Sequence, residues 1–289
     1  MTAPGKRENV PLSGLTTFRI GGPCGCLYVP ADIERAIELL RGLDGAAVVL
    51  GGGSNILAAD AGVRTPLLHT AMVNHIVFDG ETVRAGCGAG LPELSRAAAK
   101  RGLSGLEWAS GIPGSLGGAV VMNAGAYGGE MSGVVTEALV FDGRDAVVID
   151  KFDFSYRHSI FHDNPAYVIL EATLRLTRDD PAEIAARIEG FRKARNEKQP
   201  VNLPSAGSFF KHPPGHYAAA LIDQCGLKGV SAGGARVSEK HAGFIVNTGG
   251  ATCDDVLRLA ALVHETVRKQ TGAELEPEVR LLGDIHWAF

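Results

Sequence analysis

Cysteine is scarce in this chain, and its placement is uninformative. Cys24, Cys26, Cys87, Cys225 and Cys253 are odd in number and scattered, which excludes an even disulfide framework and the paired CxxC spacing of a zinc site. The CxC of Cys24 and Cys26 reads as two small packed residues. No metal is expected, and a reducing compartment fits. Long apolar runs are also missing. No stretch reaches the roughly 18 consecutive apolar residues of a membrane span, and the opening MTAPGKRENVPLSG lacks the apolar centre of a signal peptide. No membrane insertion and a cytoplasmic location are therefore expected. Nor is there an excess of positive charge: 28 Lys and Arg stand against 32 Asp and Glu, for a net charge of −4. No global field recommends nucleic acid as a partner, so an anionic ligand must be held by local cations or backbone amides. Two nucleotide signatures are absent as well. No GK[ST] follows any glycine run, and LGGGSNIL at 50–57 leads into AADAGVRTP instead of opening a helix. The first absence excludes a P-loop, the second a Rossmann fingerprint.

What the chain has in abundance is glycine: 38 of 289 residues, about twice the usual share. These glycines cluster at 21–25, 51–53, 86–90, 111–129 and 226–234. Clustering without low-complexity repetition implies backbone shaped around a ligand, not a flexible linker.

Between the clusters the elements are mixed. Ile33, Ala36, Ile37 and Leu40 have helical spacing, and PELSRAAAKRG predicts a helix with Pro92 in its first turn and Gly102 as its stop. IVFDGETVRAG and ALVFDGRDAVVID each carry Asp-Gly between β-rich flanks and predict hairpins, and AYVILEATLRLT predicts a long strand. PAEIAARIEGFRKARNEKQP predicts a connecting helix with Ile184, Ile188 and Phe191 on one face. After it come a strand GFIVN, a helix from about Thr252 to Gly272 with Thr252 as its cap, and a last strand EVRLLG. Strands and helices do not alternate strictly, so the fold class is α+β and not a doubly wound sheet.

The glycine runs carry the first functional reading. Successive amides of Gly51, Gly52, Gly53, Ser54 and Asn55 form a candidate nest for a pyrophosphate; the alternative is a tight turn between strands. The segment SGIPGSLGGAVVMNAGAYGGEMSG (110–133) has eight glycines, far more than a turn needs. It fits backbone that approaches a large flat ligand, with Ile112, Ser115, Gly118, Asn123 and Gly125 as the contact candidates. One flavin adenine dinucleotide satisfies both loops.

TTFRIGG, LGGGSNIL, GLSGLEWASGIPGSLGGAVVMNAGAYGGE, YRHSIF, PSAGSFFK, GGARVSEKHAGFIVN and LEPEVRLLG occur in this order. Together they closely resemble the UDP-N-acetylenolpyruvoylglucosamine reductase family, from about Leu12 to Gly283, and PPGHYAAALIDQCGLKG resembles its shorter subgroup. The resemblance implies a two-part FAD-binding domain of the vanillyl-alcohol oxidase and p-cresol methylhydroxylase type, then a C-terminal α/β substrate-binding domain. The expected boundaries are 1–72, 73–196 and 197–289, with 276–289 allowed to return to the FAD region. It implies noncovalent FAD, since the loop at 50–57 holds neither His nor Cys. It also implies NADPH as co-substrate and reduction of UDP-N-acetylglucosamine enolpyruvate to UDP-N-acetylmuramate for peptidoglycan synthesis. A monomer or weak oligomer is expected.

The same resemblance implies the site residues. Arg157 corresponds to the family's catalytic arginine, and a guanidinium forks onto a carboxylate and stabilises charge that develops there. Glu278 corresponds to its acidic residue, useful if protonated or paired with Arg157; a plain ion pair with Arg280 is the alternative. Ser208 corresponds to the proton donor. Taken alone it is a turn serine, but an enolate is a strong enough base for positioning to outweigh acidity. Arg195, Lys198, Lys211 and His212 are candidates for the diphosphate, with Tyr156 beside the acceptor carboxylate. His212 stands where many relatives have asparagine, and Cys87 where they have another small residue, which makes it a packing substitution or a redox-sensitive thiol. Rival readings are another FAD-dependent oxidoreductase of this fold and a flavin or nucleotide-sugar sensor without turnover.

Overall fold

Both Asp-Gly runs fold into hairpins. In the computed structural model, which describes residues 5–289, Ile76–Asp79 pairs antiparallel with Thr82–Gly86, and Val135–Phe141 pairs antiparallel with Ala146–Ile149. Asp142 closes the second turn by accepting the Arg144 and Asp145 N–H groups at 2.8 Å each. The long strand Val168–Arg175 lies between the hairpins and joins them into one five-stranded antiparallel sheet.

This sheet belongs to the first of two units, which comprises residues 5–7, Cys26–Gly52 and Pro66–Arg195. A parallel set lies in the same unit: Leu67–His69 pairs with Val48–Leu50 on one side and with residues 27–28 of Pro23–Tyr28 on the other. The helix Ile33–Leu43 starts where Asp32 accepts the Arg35 N–H at 2.8 Å. Its apolar face, Ala36 and Leu40, packs with Leu68, Phe141 and Leu170. The main core brings the helix Leu91–Ala99 and the short helix Leu116–Val121 against the sheet through Leu94, Leu116, Val120, Ala138, Val140 and Leu174. Burying such side chains contributes roughly 1.5–3 kcal/mol each.

The second unit comprises Glu8–Gly25, Gly53–Thr65 and Asn196–Phe289. Its antiparallel sheet runs Ser205–Ser208, Phe244–Asn247, Ala235–Val237, Ser231–Ala232. The helix Cys253–Thr271 has the expected cap: Thr252 Oγ1 accepts the Asp255 N–H at 3.1 Å, and Asp255 returns an acceptor to the Thr252 N–H at 3.2 Å. Its buried stripe of Val256, Leu259, Ala260, Val263 and Val267 meets Phe209, Phe210 and Leu57 in the core. The last strand, Arg280–Leu282, pairs in parallel with Ile56–Ala58. The α+β class expected from the mixed pattern is the class that forms. The helix Pro181–Lys198 contains the point, after Arg195, where the chain passes from the first unit to the second.

Candidate active site

In the first unit the two glycine-rich runs touch backbone to backbone. A Cβ on Gly52 would come within 2.7 Å of Gly114 Cα, and one on Gly51 within 2.4 Å of Ser115 Oγ. The Gly52 N–H donates to Ser115 Oγ at 3.2 Å. Ser115 precedes the helix Leu116–Val121 and is buried, while Gly118 is exposed. Ile112 packs against the main core. Between Gly51, Gly52 and Gly118 sits only the small Ser115 hydroxyl among the contacts of these glycines, so what this stretch offers a ligand is mostly backbone. A group with a pyrophosphate and a flat ring fits such a surface.

Two residues of the candidate nest also serve the protein's own structure. Gly52 spends its amide on Ser115, and Asn55 has another task. In the second unit, with Gly53 and Ser54, Asn55 donates its Nδ2 to the Glu278 carbonyl at 3.0 Å and accepts the Arg280 N–H on its own carbonyl at 3.0 Å. Its amide side chain is a strut for the last strand.

Of the two readings of Cys87, the structure favours packing. It is 2 % exposed, and a Cβ on Gly117 would come within 2.9 Å of its own Cβ. Burial pushes its thiol up to about 12, with a hydrogen bond to Thr70 opposing. The thiol is therefore protonated and packed, without the thiolate character that redox sensing requires.

Arg157 sits on a strained loop. Its φ is +56°, Asn123 is at +40° and Tyr127 at +54°, a region non-glycine residues seldom occupy and one that concentrates at functional sites. Asn123 and Gly125, expected at the cofactor, lie beside this arginine. Asn123, 1 % exposed, donates Nδ2 to the Ser155 carbonyl at 3.1 Å and accepts the Ser132 N–H at 3.0 Å. The Gly125 carbonyl accepts from Arg157 Nη2 at 3.3 Å. Tyr156, half exposed, lies with its ring centroid 5.1 Å from the Arg157 guanidinium carbon.

Arg195 packs against the long glycine run: a Cβ on Gly111 would fall 2.9 Å from Arg195 Cδ. Burial lowers its pKa, and the Tyr127 phenol opposes that shift. Tyr127 stacks on Phe191 with centroids 4.7 Å apart. Two contributors to this region escaped the sequence reading. Tyr127 was passed over as a spacer between glycines, although a bulky residue inside AYGG was a usable signal. Glu107, 6 % exposed, accepts from Gly105 N–H at 2.7 Å, from Ser104 Oγ at 2.8 Å and from Arg187 Nη2 at 2.8 Å. Burial pushes its carboxyl up, but those donors outweigh it and hold it below the ordinary glutamate value. It anchors the turn Glu107–Gly111 that leads into the glycine run.

In the second unit Ser208 ends the strand Ser205–Ser208, and a bulge aims it. Ser205 faces Val246 while Ser208 faces Phe244, three steps on one strand against two on the other. Gly207 supplies the irregular residue with φ +81°, and a Cβ there would meet nothing within 4 Å. Glycine is needed for its backbone angle, not for space. A bulge of this kind re-aims the next side chain. Phe209, the following residue, donates its N–H to the Gly243 carbonyl at 2.8 Å and accepts the Glu278 N–H at 2.9 Å. Ser208 and Glu278 thus both adjoin Phe209, one through its N-terminal peptide link and the other through a hydrogen bond to its carbonyl. Phe209 and Phe210 are only 1 % and 2 % exposed. They are core residues of this unit.

The cations of this unit are distributed. Lys211 pairs with Glu276, Nζ to Oε1 at 2.5 Å, and donates its backbone N–H to the Glu276 carbonyl at 2.8 Å. This separates Glu276 from Glu278: the first serves Lys211, the second lies beside Phe209. His212 is exposed, meets Tyr217 edge to face at 5.2 Å, and accepts the Ala218 N–H on Nδ1 at 3.4 Å. With Nδ1 accepting, a neutral ring has its proton on Nε2 and can donate there. Lys198 is exposed at the end of its helix.

Comparison with known proteins bears on both units. Residues 29–148 match an FAD binding domain family, and residues 199–282 match the C-terminal domain of UDP-N-acetylenolpyruvoylglucosamine reductase. The UDP-N-acetylenolpyruvoylglucosamine reductase of Caldanaerobacter subterraneus subsp. tengcongensis is 42% identical over 282 residues, covering 96% of this chain and 93% of that protein. That of Rubrobacter xylanophilus is 44% identical, covering 97% and 96%. The crystal structure of the reductase from Thermus caldophilus superposes with a TM-score of 0.83 at 36% identity, covering 96% of this chain and 99% of that one.

Proposed function

Since the chain belongs to the UDP-N-acetylenolpyruvoylglucosamine reductase family, we propose that Arg157 and Glu278 stabilise the charge, and Ser208 supplies the proton, as the enolpyruvyl ether of a UDP-sugar is reduced. The protein is an FAD- and NADPH-dependent oxidoreductase, a UDP-N-acetylmuramate dehydrogenase of peptidoglycan precursor synthesis. The residues that would hold FAD are Gly51, Gly52, Ile112, Ser115 and Gly118, with Gly53 and Ser54 following in the chain. When bound and reduced by NADPH, FAD supplies a hydride to the terminal CH2 carbon of the enolpyruvyl group.

The chain's own residues handle the charge and the proton that result. As the new C–H bond forms, the π pair moves onto C2 and into the adjoining carboxylate. Arg157 meets that carboxylate with a permanently charged fork, an interaction that strengthens as charge builds. Its strained loop and its bond to the Gly125 carbonyl fix the guanidinium in advance, so little reorganisation is needed at the transition state. Glu278 adds a hydrogen-bond donor to the same carboxylate if its carboxyl carries a proton, or steadies Arg157 if it is paired with it. Ser208 Oγ–H then gives its proton to C2: the O–H bond breaks, the C–H bond forms, and the serine recovers a proton from solvent. Its high ordinary pKa is no obstacle, because the acceptor carbon is a stronger base and the proton travels a fixed short path.

Arg195, Lys198, Lys211 and His212 are proposed to bind the diphosphate, and Tyr156 to lie beside the acceptor carboxylate. Lys211 must exchange its Glu276 partner for phosphate, which an exposed pair permits at little cost. The UDP-sugar and NADPH are the proposed partners and the cytoplasm the proposed location. No described helix is long and apolar enough to cross a membrane.

The single observation that carries this reading is the Gly207 bulge, which sets Ser208 next to Phe209, the residue whose carbonyl accepts the Glu278 N–H. The test is rapid-mixing spectroscopy of the flavin in each half-reaction. Ser208→Ala is expected to leave flavin reduction by NADPH unchanged while reoxidation by UDP-N-acetylglucosamine enolpyruvate falls by about 10²-fold or more. Equal loss in both halves would remove Ser208 from the proton-donor role. NADPH consumption driven by oxygen alone would overturn the reductase reading.

A further inference from the structure

The segment after the last strand ends in an aromatic group that faces the residue following the proton donor. Trp287 meets Phe209 edge to face, with centroids 5.6 Å apart at 80°. Phe289 tilts against Trp287 at 5.9 Å and against Phe210 at 6.4 Å. Phe289 also stacks on His264 of the long helix at 4.2 Å, and His264 Nε2 pairs with Glu274 at 2.8 Å. All of these residues lie in the second unit. Aromatic pairs in such geometries contribute about 0.5–1.5 kcal/mol each beyond their buried area, so residues 287–289 are tied down at several points.

What they hold is specific. Phe209 is the residue whose N–H is fixed by Gly243, whose carbonyl is fixed by the Glu278 N–H, and whose own amide nitrogen is bonded to Ser208. Its ring is almost fully buried between Phe210 and Trp287. The bulge at Gly207 loosens the strand on the N-terminal side, because one residue there has no ladder partner. Restraint of Phe209 must therefore come from its ring and from the two hydrogen bonds. Trp287 supplies the edge of the ring's socket and is only partly buried itself, so it can be changed without opening the centre of the core.

We propose that Trp287 is a positioning residue for catalysis: through the Phe209 ring it sets the distance between Ser208 and Glu278. Phe289 and His264 hold Trp287 in turn. The proposal rests on the catalytic assignment of Ser208 and Glu278 above, but its structural half does not depend on turnover.

The test uses the FAD-loaded full chain and three variants: Trp287→Ala, Trp287→Leu, which keeps bulk without a ring edge, and Trp287→Phe, which keeps an edge. In Trp287→Ala, substrate-driven flavin reoxidation is expected to fall by about 10- to 100-fold, the cost of an ångström-scale misplacement. KM and flavin reduction by NADPH should stay within about twofold. Trp287→Phe should restore most of the loss and Trp287→Leu little of it. Hydrogen exchange at the Phe209 and Glu278 amides should accelerate in step with that loss. Equal decline of both half-reactions, rescue by leucine as complete as by phenylalanine, or unchanged reoxidation in Trp287→Ala would overturn the proposal. If Trp287→Ala does not fold, the leucine and phenylalanine pair decides. If the unmodified enzyme fails to turn over the enolpyruvyl substrate, the functional reading falls. The exchange measurement then still judges the strap: unchanged protection at Phe209 and Glu278 in the variant removes it.

Discussion

Arg157 and Ser208 are positioned by opposite means. Around Arg157 the first unit uses polar struts and strained backbone: a positive φ at the arginine itself, another at Asn123, and amide bonds from Asn123 to Ser155 and Ser132. Around Ser208 the second unit uses one glycine bulge, a strand ladder and buried aromatic rings. The difference follows from the roles proposed for the two side chains. A guanidinium needs a fixed direction in a wet, half-exposed setting, which directional hydrogen bonds can give. A hydroxyl that donates one proton needs a fixed distance, which close packing supplies because packed rings resist small displacements.

The contrast breaks most sharply at Arg157. Arg157→Lys keeps the charge but loses the fork and the bond to the Gly125 carbonyl. Substrate-driven reoxidation is expected to fall by about 10²–10³-fold, the cost of losing a preorganised donor at developing charge. Flavin reduction by NADPH should be unaffected. If lysine works nearly as well as arginine, directional positioning is not what this loop provides.

Asn123→Ala should come next, and its effect divides between stability and rate. It removes two hydrogen bonds at a residue only 1 % exposed and places alanine at φ +40°. Leaving the Ser155 carbonyl and the Ser132 N–H without that partner costs about 1–3 kcal/mol in urea unfolding. Asn123→Gly relieves the backbone but not the lost bonds, so it should recover only part of the loss. Full recovery by glycine would assign the residue to backbone strain alone.

How far the site was legible follows the same division. The hairpins, the capped helix Cys253–Thr271 and the α+β class were readable because Asp-Gly turns, a Thr-x-x-Asp cap and apolar periodicity are local signals. Arg157, Ser208 and Glu278 were reachable only through the resemblance of whole motifs, since YRHSIF alone does not say that Arg157 has φ +56°. The structural tasks of Asn55 and Asn123 were not readable in the sequence, for a shared reason. Both stand in glycine-rich loops where a ligand was expected, yet their partners, Glu278 and Ser155, lie 223 and 32 residues away. The packing of Trp287 on Phe209 is equally non-local. Polar residues beside glycine advertise a site, but sequence spacing does not tell a strut from a contact.

The smallest expected effect concerns the support behind the glycine run. Glu107 is held below its ordinary pKa despite burial, by the Gly105 N–H, Arg187 and Ser104. A carboxylate with a depressed folded-state pKa contributes stability that is fully present above the unfolded value and is lost as pH falls through the folded one. Glu107→Gln should therefore cost about 1 kcal/mol at neutral pH, a modest figure because Arg187 is partly exposed. The gap to the unmodified protein should close on acidification below the ordinary glutamate range, near pH 4 and under. Urea unfolding at neutral and acidic pH measures it. A gap that persists unchanged in acid would mean that Glu107 acts by shape and not by charge. The first unit would then owe less to polar struts, and resemble the second more, than the geometry around Arg157 implies.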